Sequence, residues 1–160
     1  MRTVDGKGNI IVAEPGLKVL IAGGASDAHT WNLVYLELLL QEAGHRTVNI
    51  GPCVSGDLLA AECRRHKPDL VAVGTVNGHG HRDGLEMIAA LRADPALAGL
   101  PAVIGGKLDV AGVVDADEVA RLIAAGYRAV FADGDTAAFL ELLAALAGGR
   151  VPERAPERAR

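Results

Sequence analysis

The stretch that decides the fold is residues 17–32, LKVLIAGGASDAHTWN, an apolar run followed by a loop of small and polar residues. Lys18 to Ala22 (KVLIA) predicts a buried strand, and Trp31 to Ala43 predicts a helix that stops at Gly44. A strand followed by a helix is half of a βαβ unit, from which parallel sheets are built. The loop between them therefore lies at the carboxyl end of a strand, where such sheets bind ligands.

The same alternation continues along the chain. Further strands are predicted at Thr47 to Ile50, Leu70 to Gly74, Ala102 to Ile104 and Arg128 to Phe131, and further helices at Leu58 to His66, Asp83 to Ala93, Asp115 to Ala125 and Asp135 to Ala147. This pattern predicts an α/β fold, a flavodoxin-like (Rossmann-like) doubly wound five-stranded parallel sheet with helices on both faces. Its ligand crevice is expected at the switch point between the first and third strands.

The two ends of the chain lie outside this pattern. Residues 1–16 are expected to form an N-terminal arm or a hairpin, and residues 17–148 the ligand-binding domain. Residues 149–160 (GRVPERAPERAR) are polar, repeat Pro-Glu-Arg-Ala and predict a disordered C-terminal tail.

Composition excludes several classes of partner. The net charge is −4 and no basic stripe is present, which argues against nucleic acid as a partner. No apolar run reaches the roughly 18 residues that suggest a membrane span. Two cysteines, Cys53 and Cys63, without a secretory signal indicate a reduced, cytoplasmic protein.

The loop after the first strand does not carry a common phosphate-binding motif. Gly23 and Gly24 are not followed by the Lys-Ser or Lys-Thr of a P-loop, and they lack the G-x-G-x-x-G spacing of a dinucleotide site. A receiver domain of a signalling pair would need an acidic residue after the third strand and a lysine after the fifth. This chain has Thr75 and Ala132 at those places, so that class is also excluded.

Asp27-Ala28-His29 is the part of this loop that can carry chemistry. A carboxylate two residues before a histidine can accept a hydrogen bond from one ring nitrogen, which makes the other nitrogen a better metal ligand. A single histidine cannot hold a bare zinc ion, which takes three or four protein ligands, but a metal already held by a macrocycle needs only one more. The alternative is a loop histidine that caps the following helix.

Small residues also follow the other strands of the predicted sheet. The loops are Gly74 to His81 (GTVNGHGH), Gly105 to Lys107 (GGK) and Asp133 to Asp135 (DGD). Each glycine taken singly is explained by a sharp turn. Four such loops along one rim leave room for a groove that could admit a bulky ligand tail between the sheet and a helix.

With these loops the chain resembles the cobalamin-binding domains of the base-off, His-on type, and most of all the small subunits of glutamate (methylaspartate) mutases. The likeness covers roughly residues 17–146, and the family pattern is D-x-H-x-x-G, then S-x-L, then G-G. Asp27 and His29 match the first motif, and Gly105-Gly106 match the last. Two departures stand out, because Asn32 replaces the glycine of the first motif and Gly74 replaces the serine that meets the cofactor's nucleotide base in the family.

The resemblance implies a role for each matched residue. His29 would be the axial ligand of cobalt in place of the cofactor's own base, and Asp27 would support His29. The displaced nucleotide tail would lie in the groove at the switch point. The cofactor-binding residues implied in this way are Ser26, Asp27, Ala28, His29, Thr30, Asn32, Gly74, Thr75, Val76, Gly78, Gly105, Gly106 and Gly134.

The function implied is that of the cobalamin-binding subunit of an adenosylcobalamin-dependent carbon-skeleton mutase, an isomerase. The resemblance also implies a partner, a catalytic barrel-type mutase subunit that holds the substrate. The chain shows no acid–base or nucleophile constellation of its own, so no catalytic residue is predicted, which fits a cofactor-carrying subunit. A corrinoid carrier for methyl transfer is the first alternative, although those proteins usually carry a helical bundle for which residues 1–16 are too few. A degenerate module that has kept the fold without the cofactor is the second, because of Asn32 and Gly74.

Overall fold

The computed structural model describes residues 2–12, 16–113, 115–132 and 134–149, and the observations below concern those residues. Its elements in chain order are β1 (Arg2–Val4), β2 (Ile10–Val12), β3 (Lys18–Gly23), α1 (Trp31–Glu42), β4 (Arg46–Asn49), α2 (Gly56–His66), β5 (Leu70–Thr75), α3 (Gly80–Ala93), β6 (Ala102–Gly106), α4 (Ala116–Ala125), β7 (Ala129–Ala132) and α5 (Thr136–Ala147). The predicted alternation of strands and helices is confirmed.

Five of the strands form one parallel sheet of order β4-β3-β5-β6-β7. The chain leaves β3 toward β4 on one side and returns to β5 on the other, so the switch point lies between β3 and β5, as predicted. Gly23 pairs with Gly74, and Gly74 pairs with Gly105. Three neighbouring strands therefore reach the carboxyl edge of the sheet with no side chain at the same level.

The core lies in two layers, one on each face of the sheet. Along β3, Leu20 and Ala22 belong to the layer that includes α2, α3 and α4. Val19 and Ile21 alternate with them and pack on the other face, against α1 and α5. This period of two is what a central strand buried on both faces requires. The helices of the second face, α1 and α5, are the ones that border the site described below.

One predicted boundary is wrong in a way that affects the site. Helix α3 begins at Gly80 rather than at Asp83, so His81 lies in its first turn and not in the loop. A Cβ atom on Gly80 would lie 2.3 Å from Cγ2 of Thr75. Only glycine lets the helix begin this close to β5, and helix propensity alone does not signal that contact.

The N-terminal segment is separate from the main sheet. Strands β1 and β2 pair with each other in antiparallel register, with Val4 opposite Ile10. Except for Gly149, the predicted tail at 149–160 lies outside the described residues. Among the helices that the structure describes, none has the length and apolar character needed to cross a membrane.

Candidate functional site

The Asp27–His29 pair occupies the loop between β3 and α1. Nδ1 of His29 lies 2.6 Å from Oδ1 of Asp27, and the backbone N–H of His29 donates to the same oxygen at 3.0 Å. The Asp27 side chain is 1% exposed, whereas that of His29 is 52% exposed. The carboxylate is thus buried beneath an imidazole that faces outward.

The second carboxylate oxygen of Asp27 is tied to the end of β5. Oδ2 accepts hydrogen bonds from the backbone N–H groups of Val76 at 2.7 Å and Asn77 at 3.1 Å, and from Oγ1 of Thr75 at 3.1 Å. The loop after β3 is therefore held to the loop after β5 across the switch point. Thr75 and Val76, two of the predicted site residues, meet the Asp27–His29 pair through this contact.

These hydrogen bonds keep Asp27 ionised. Burial by itself raises the pKa of this carboxyl group, but hydrogen bonds from Val76, His29 and Thr75 outweigh it and lower the pKa to about 2. An ionised carboxylate only accepts hydrogen bonds, so Nδ1 of His29 must carry the proton in their contact. In the neutral ring, the lone pair then lies on Nε2, the nitrogen that a metal would use.

Neighbouring side chains fix the backbone around the pair. Ser26 donates to Oδ2 of the buried Asp83 through its backbone N–H at 2.8 Å and through its hydroxyl at 2.6 Å. Asn77 donates from Nδ2 to the carbonyl oxygen of Ser26 at 3.0 Å. The carbonyl oxygen of Asp27 accepts from the backbone N–H of Cys53 at 3.0 Å. Loops from three strands and helix α3 together position the imidazole.

A groove of about 690 Å³, counted to its open mouth, lies beside this network. Helices α1 and α5 form its walls and the ends of β5, β6 and β7 form its floor. The lining residues are Asn32, Tyr35, Leu36, Ala72, Val73, Gly74, Thr75, Val76, Val103, Gly105, Gly106, Phe131, Gly134, Asp135, Thr136 and Phe139. Most of this surface is apolar or glycine backbone, which suits a flat, weakly polar group of a ligand.

The glycines of the predicted rim differ in what a Cβ atom at each position would contact. Gly106 has φ +103° and its Cβ would lie 2.0 Å from the carbonyl oxygen of Thr75, so backbone packing alone requires it. Gly78 has φ +85° and faces Val110, and it does not line the groove. A Cβ on Gly74, in contrast, would contact only side chains, at 3.3 and 3.4 Å. Gly74 is therefore not required by a strained turn, but a side chain there would press on Leu33 and Asn32.

Asn32 brings a polar group into this apolar groove. Its Oδ1 atom is buried and has no hydrogen-bond partner among the described residues. A buried carbonyl oxygen without a partner is costly unless a ligand or water satisfies it. Together with the imidazole of His29 and the apolar groove, this orphaned atom fits a macrocyclic metal cofactor with a long, partly polar tail.

The remaining predicted site residues lie at the exposed rim. Ala28 and Thr30 are exposed on either side of His29, and Thr30 precedes α1 without a side-chain cap. Trp31, the only tryptophan, is 63% exposed, so it is not a core residue of the helix. Sequence reasoning missed the groove walls formed by Tyr35, Leu36, Phe131, Thr136 and Phe139. Only the helical spacing of Tyr35 and Leu36 from Asn32 could have indicated them.

A bare metal site is not found in the part of the chain that the structure describes. No group of three or more His, Cys, Asp or Glu side chains there could hold a metal ion. A metal bound at His29 would therefore need its other ligands from outside the described residues, for example from the ring nitrogens of a macrocycle.

Known proteins share sequence with this chain. The family model described as a B12 binding domain matches residues 17–139. The chain is 33% identical over 116 residues to a glutamate mutase sigma subunit from Halobacterium salinarum, a match that covers 71% of this chain and 74% of that protein.

Two solved structures show the same fold at lower identity. A cobalamin-binding protein from Desulfitobacterium hafniense has a TM-score of 0.63 and 18% identity over 80% of this chain and 59% of its own. The methanol:cobalamin methyltransferase complex MtaBC from Methanosarcina barkeri has a TM-score of 0.64 and 20% identity over 84% of this chain. The match spans 48% of that second chain, about half its length.

Proposed function

The chain belongs to the family of B12-binding domains, and from that membership we propose that it is the cobalamin-binding subunit of an adenosylcobalamin-dependent carbon-skeleton mutase of the glutamate mutase kind. The curated relative is named as a glutamate mutase sigma subunit, and the match covers most of both chains. Both cysteines are free thiols, which suits the reduced cytoplasm in which we place it.

In this proposal His29 would hold the cobalt of the cofactor, and the Asp27–His29 hydrogen bond is the observation that supports this role. Asp27 fixes the ring with Nδ1 protonated, so Nε2 is left for the metal. Because Asp27 is itself held by Thr75, Val76 and Asn77, the ring is positioned before the cofactor arrives. Preorganisation of this kind lowers the ordering cost of binding.

The groove between α1 and α5 would hold the nucleotide tail that His29 displaces from cobalt. Its mouth lies at the carboxyl edge of the sheet, where Val76 both lines the groove and donates to Asp27. The hydrogen bond between Val76 and Asp27 therefore links the tail groove to the carboxylate that supports His29. Gly74, Gly105, Gly106 and Gly134 keep the floor and mouth free of side chains.

Catalysis would need a second subunit. Cobalamin supplies the radical chemistry of the rearrangement, and this chain supplies binding and orientation. We propose a barrel-type mutase subunit as the partner, because it would hold the substrate and cover the corrin face opposite His29.

We expect the chain to restore glutamate rearrangement when it is combined with adenosylcobalamin and the barrel subunit of a glutamate mutase. Conversion of glutamate to methylaspartate, followed by nuclear magnetic resonance, is the measurement. Omission of this chain and the variant His29→Ala are the controls, and both should abolish conversion. Binding of cobalamin without conversion, together with methyl transfer from a methylated corrinoid, would replace the mutase proposal by that of a methyl carrier.

A further inference from the structure

We propose that the carboxamide of Asn32 is the hydrogen-bonding contact for the base of the cofactor's nucleotide tail, and that Gly74 is small in order to leave room for it. This inference rests on the proposed cobalamin function and adds a residue that determines affinity for the tail. The two departures from the family pattern are then related, because Asn32 would replace the polar contact that is lost with the serine at position 74.

The first support is that Asn32 has hydrogen-bonding capacity to spare inside the groove. Oδ1 is buried without a partner among the described residues. Two other polar side chains that line the groove are already engaged: Thr75 donates to Asp27, and Asp135 accepts from the backbone N–H of Ala138 at the start of α5. The Asn32 carboxamide is thus positioned to meet a polar atom of a ligand.

The second support is the fit between Asn32 and Gly74. Nδ2 of Asn32 lies 3.4 Å from the place where a Cβ atom on Gly74 would stand, and Cδ2 of Leu33 lies 3.3 Å from it. Contacts near 3.3 Å are already tight for a carbon atom, so a serine at position 74 would press its side chain against the carboxamide. The space can therefore hold a polar side chain at position 74 of β5 or at position 32 of α1, but two such side chains would crowd each other.

The third support is the chemistry of the surroundings. The groove offers aromatic and aliphatic surface from Phe131, Phe139 and Leu36, which matches the faces of a flat heteroaromatic base. Such a base has one ring nitrogen that accepts a hydrogen bond once it has left cobalt, because its other ring nitrogen carries the ribose. A half-turn of the carboxamide brings its N–H₂ donor to the position of Oδ1, so Asn32 can donate to that nitrogen.

The test compares adenosylcobalamin with adenosylcobinamide, which lacks the nucleotide tail. Quenching of the fluorescence of Trp31, which stands beside Asn32 in the chain, reports binding of either corrinoid. Asn32→Leu keeps a side chain of similar size and should weaken binding of adenosylcobalamin roughly three- to tenfold, the range of one neutral hydrogen bond. Binding of adenosylcobinamide should stay unchanged. Leu38→Ala, on the exposed face of the same helix, is the matched control and should alter neither.

A double-mutant cycle tests the coupling with Gly74. Gly74→Ser alone should weaken adenosylcobalamin binding through crowding, and Asn32→Gly alone through loss of the contact. The double variant Asn32→Gly/Gly74→Ser should bind adenosylcobalamin more tightly than either single variant. Circular dichroism verifies that each variant is folded.

The outcomes separate the two proposals. Additive effects in the cycle, or an Asn32→Leu effect that is equal for both corrinoids, would overturn this inference and leave the proposed function standing. If the wild-type chain bound neither corrinoid, the proposed function would fail, and this inference with it.

Discussion

Replacing His29 by alanine is expected to lower the affinity for adenosylcobinamide by at least about 100-fold. Loss of groups that merely support a metal ligand already costs about 10–100-fold, and removal of the ligand itself should cost more. Adenosylcobinamide is the sharper probe because it has no tail that could bind in the groove and mask the loss. Equilibrium titration, with free and bound corrinoid separated by ultrafiltration, measures the effect.

His79 provides the matched control for this experiment. It is an exposed histidine on the loop after β5, at the same edge of the sheet, and its backbone N–H contacts Asn77. His79→Ala should therefore bind adenosylcobinamide as the wild type does. Equal losses in the two variants, or a larger loss in His79→Ala, would be incompatible with His29 as the cobalt ligand. Because His29 is half exposed, its removal should leave the fold stable.

Replacing Asp27 by alanine is expected to harm both stability and binding. The buried carboxylate accepts hydrogen bonds from His29, Thr75, Val76 and Asn77, and alanine would leave these donors unpaired. Removing one partner of a buried charged network costs about 3–5 kcal/mol. Urea unfolding followed by circular dichroism measures this loss. In whatever fraction remains folded, corrinoid affinity should fall about 10–100-fold, because His29 loses its support.

The same carboxylate predicts how stability depends on pH. The pKa of Asp27 is lowered from 3.8 to about 2 in the folded chain, so its contribution to stability is complete above the unfolded value. That contribution is lost as pH falls through the folded value, and it amounts to about 2 kcal/mol. Between about pH 5 and pH 2, the unfolding free energy of the wild type should therefore decline more steeply than that of Asp27→Ala.

Glu141→Ala is the control for both effects of Asp27. Glu141 is exposed on α5, and such surface substitutions usually change stability by less than about 0.5 kcal/mol. If Asp27→Ala unfolded at the same urea concentration as Glu141→Ala, the network around Asp27 would not stabilise the fold. Parallel pH profiles for wild type and Asp27→Ala would show that the carboxyl group is not held ionised by its partners.

The sequence was sufficient to predict the sheet, its switch point and the place of the Asp27–His29 loop. Apolar runs such as residues 18–22 are short enough for strands, and the helices between them have clear stops, so the parallel alternation is visible without coordinates. The spacing of Asp27 and His29 also predicted their hydrogen bond, which the structure contains at 2.6 Å. Both features depend on residues close together in the chain.

Features that depend on distant residues could not be predicted. Two of the hydrogen bonds that hold Asp27 to the end of β5 come from the backbone N–H groups of Val76 and Asn77, and such groups are common to all residue types except proline. The aromatic wall of the groove, Phe131 and Phe139, depends on how α5 packs beside β7. The surroundings of Asn32 likewise depend on distant residues: its buried oxygen has no partner among the described residues, and its Nδ2 lies next to Gly74 of β5.

The measurement that tests the central claim most directly is the electron paramagnetic resonance spectrum of cob(II)inamide bound to the chain. Cob(II)inamide has no nucleotide base, so any axial nitrogen coupled to its unpaired electron must come from the protein. If His29 binds cobalt, each cobalt line should split into a triplet, and histidine labelled with the spin-one-half isotope of nitrogen should convert the triplet into a doublet. Bound cob(II)inamide without nitrogen splitting, or a splitting that survives in His29→Ala, would contradict the account.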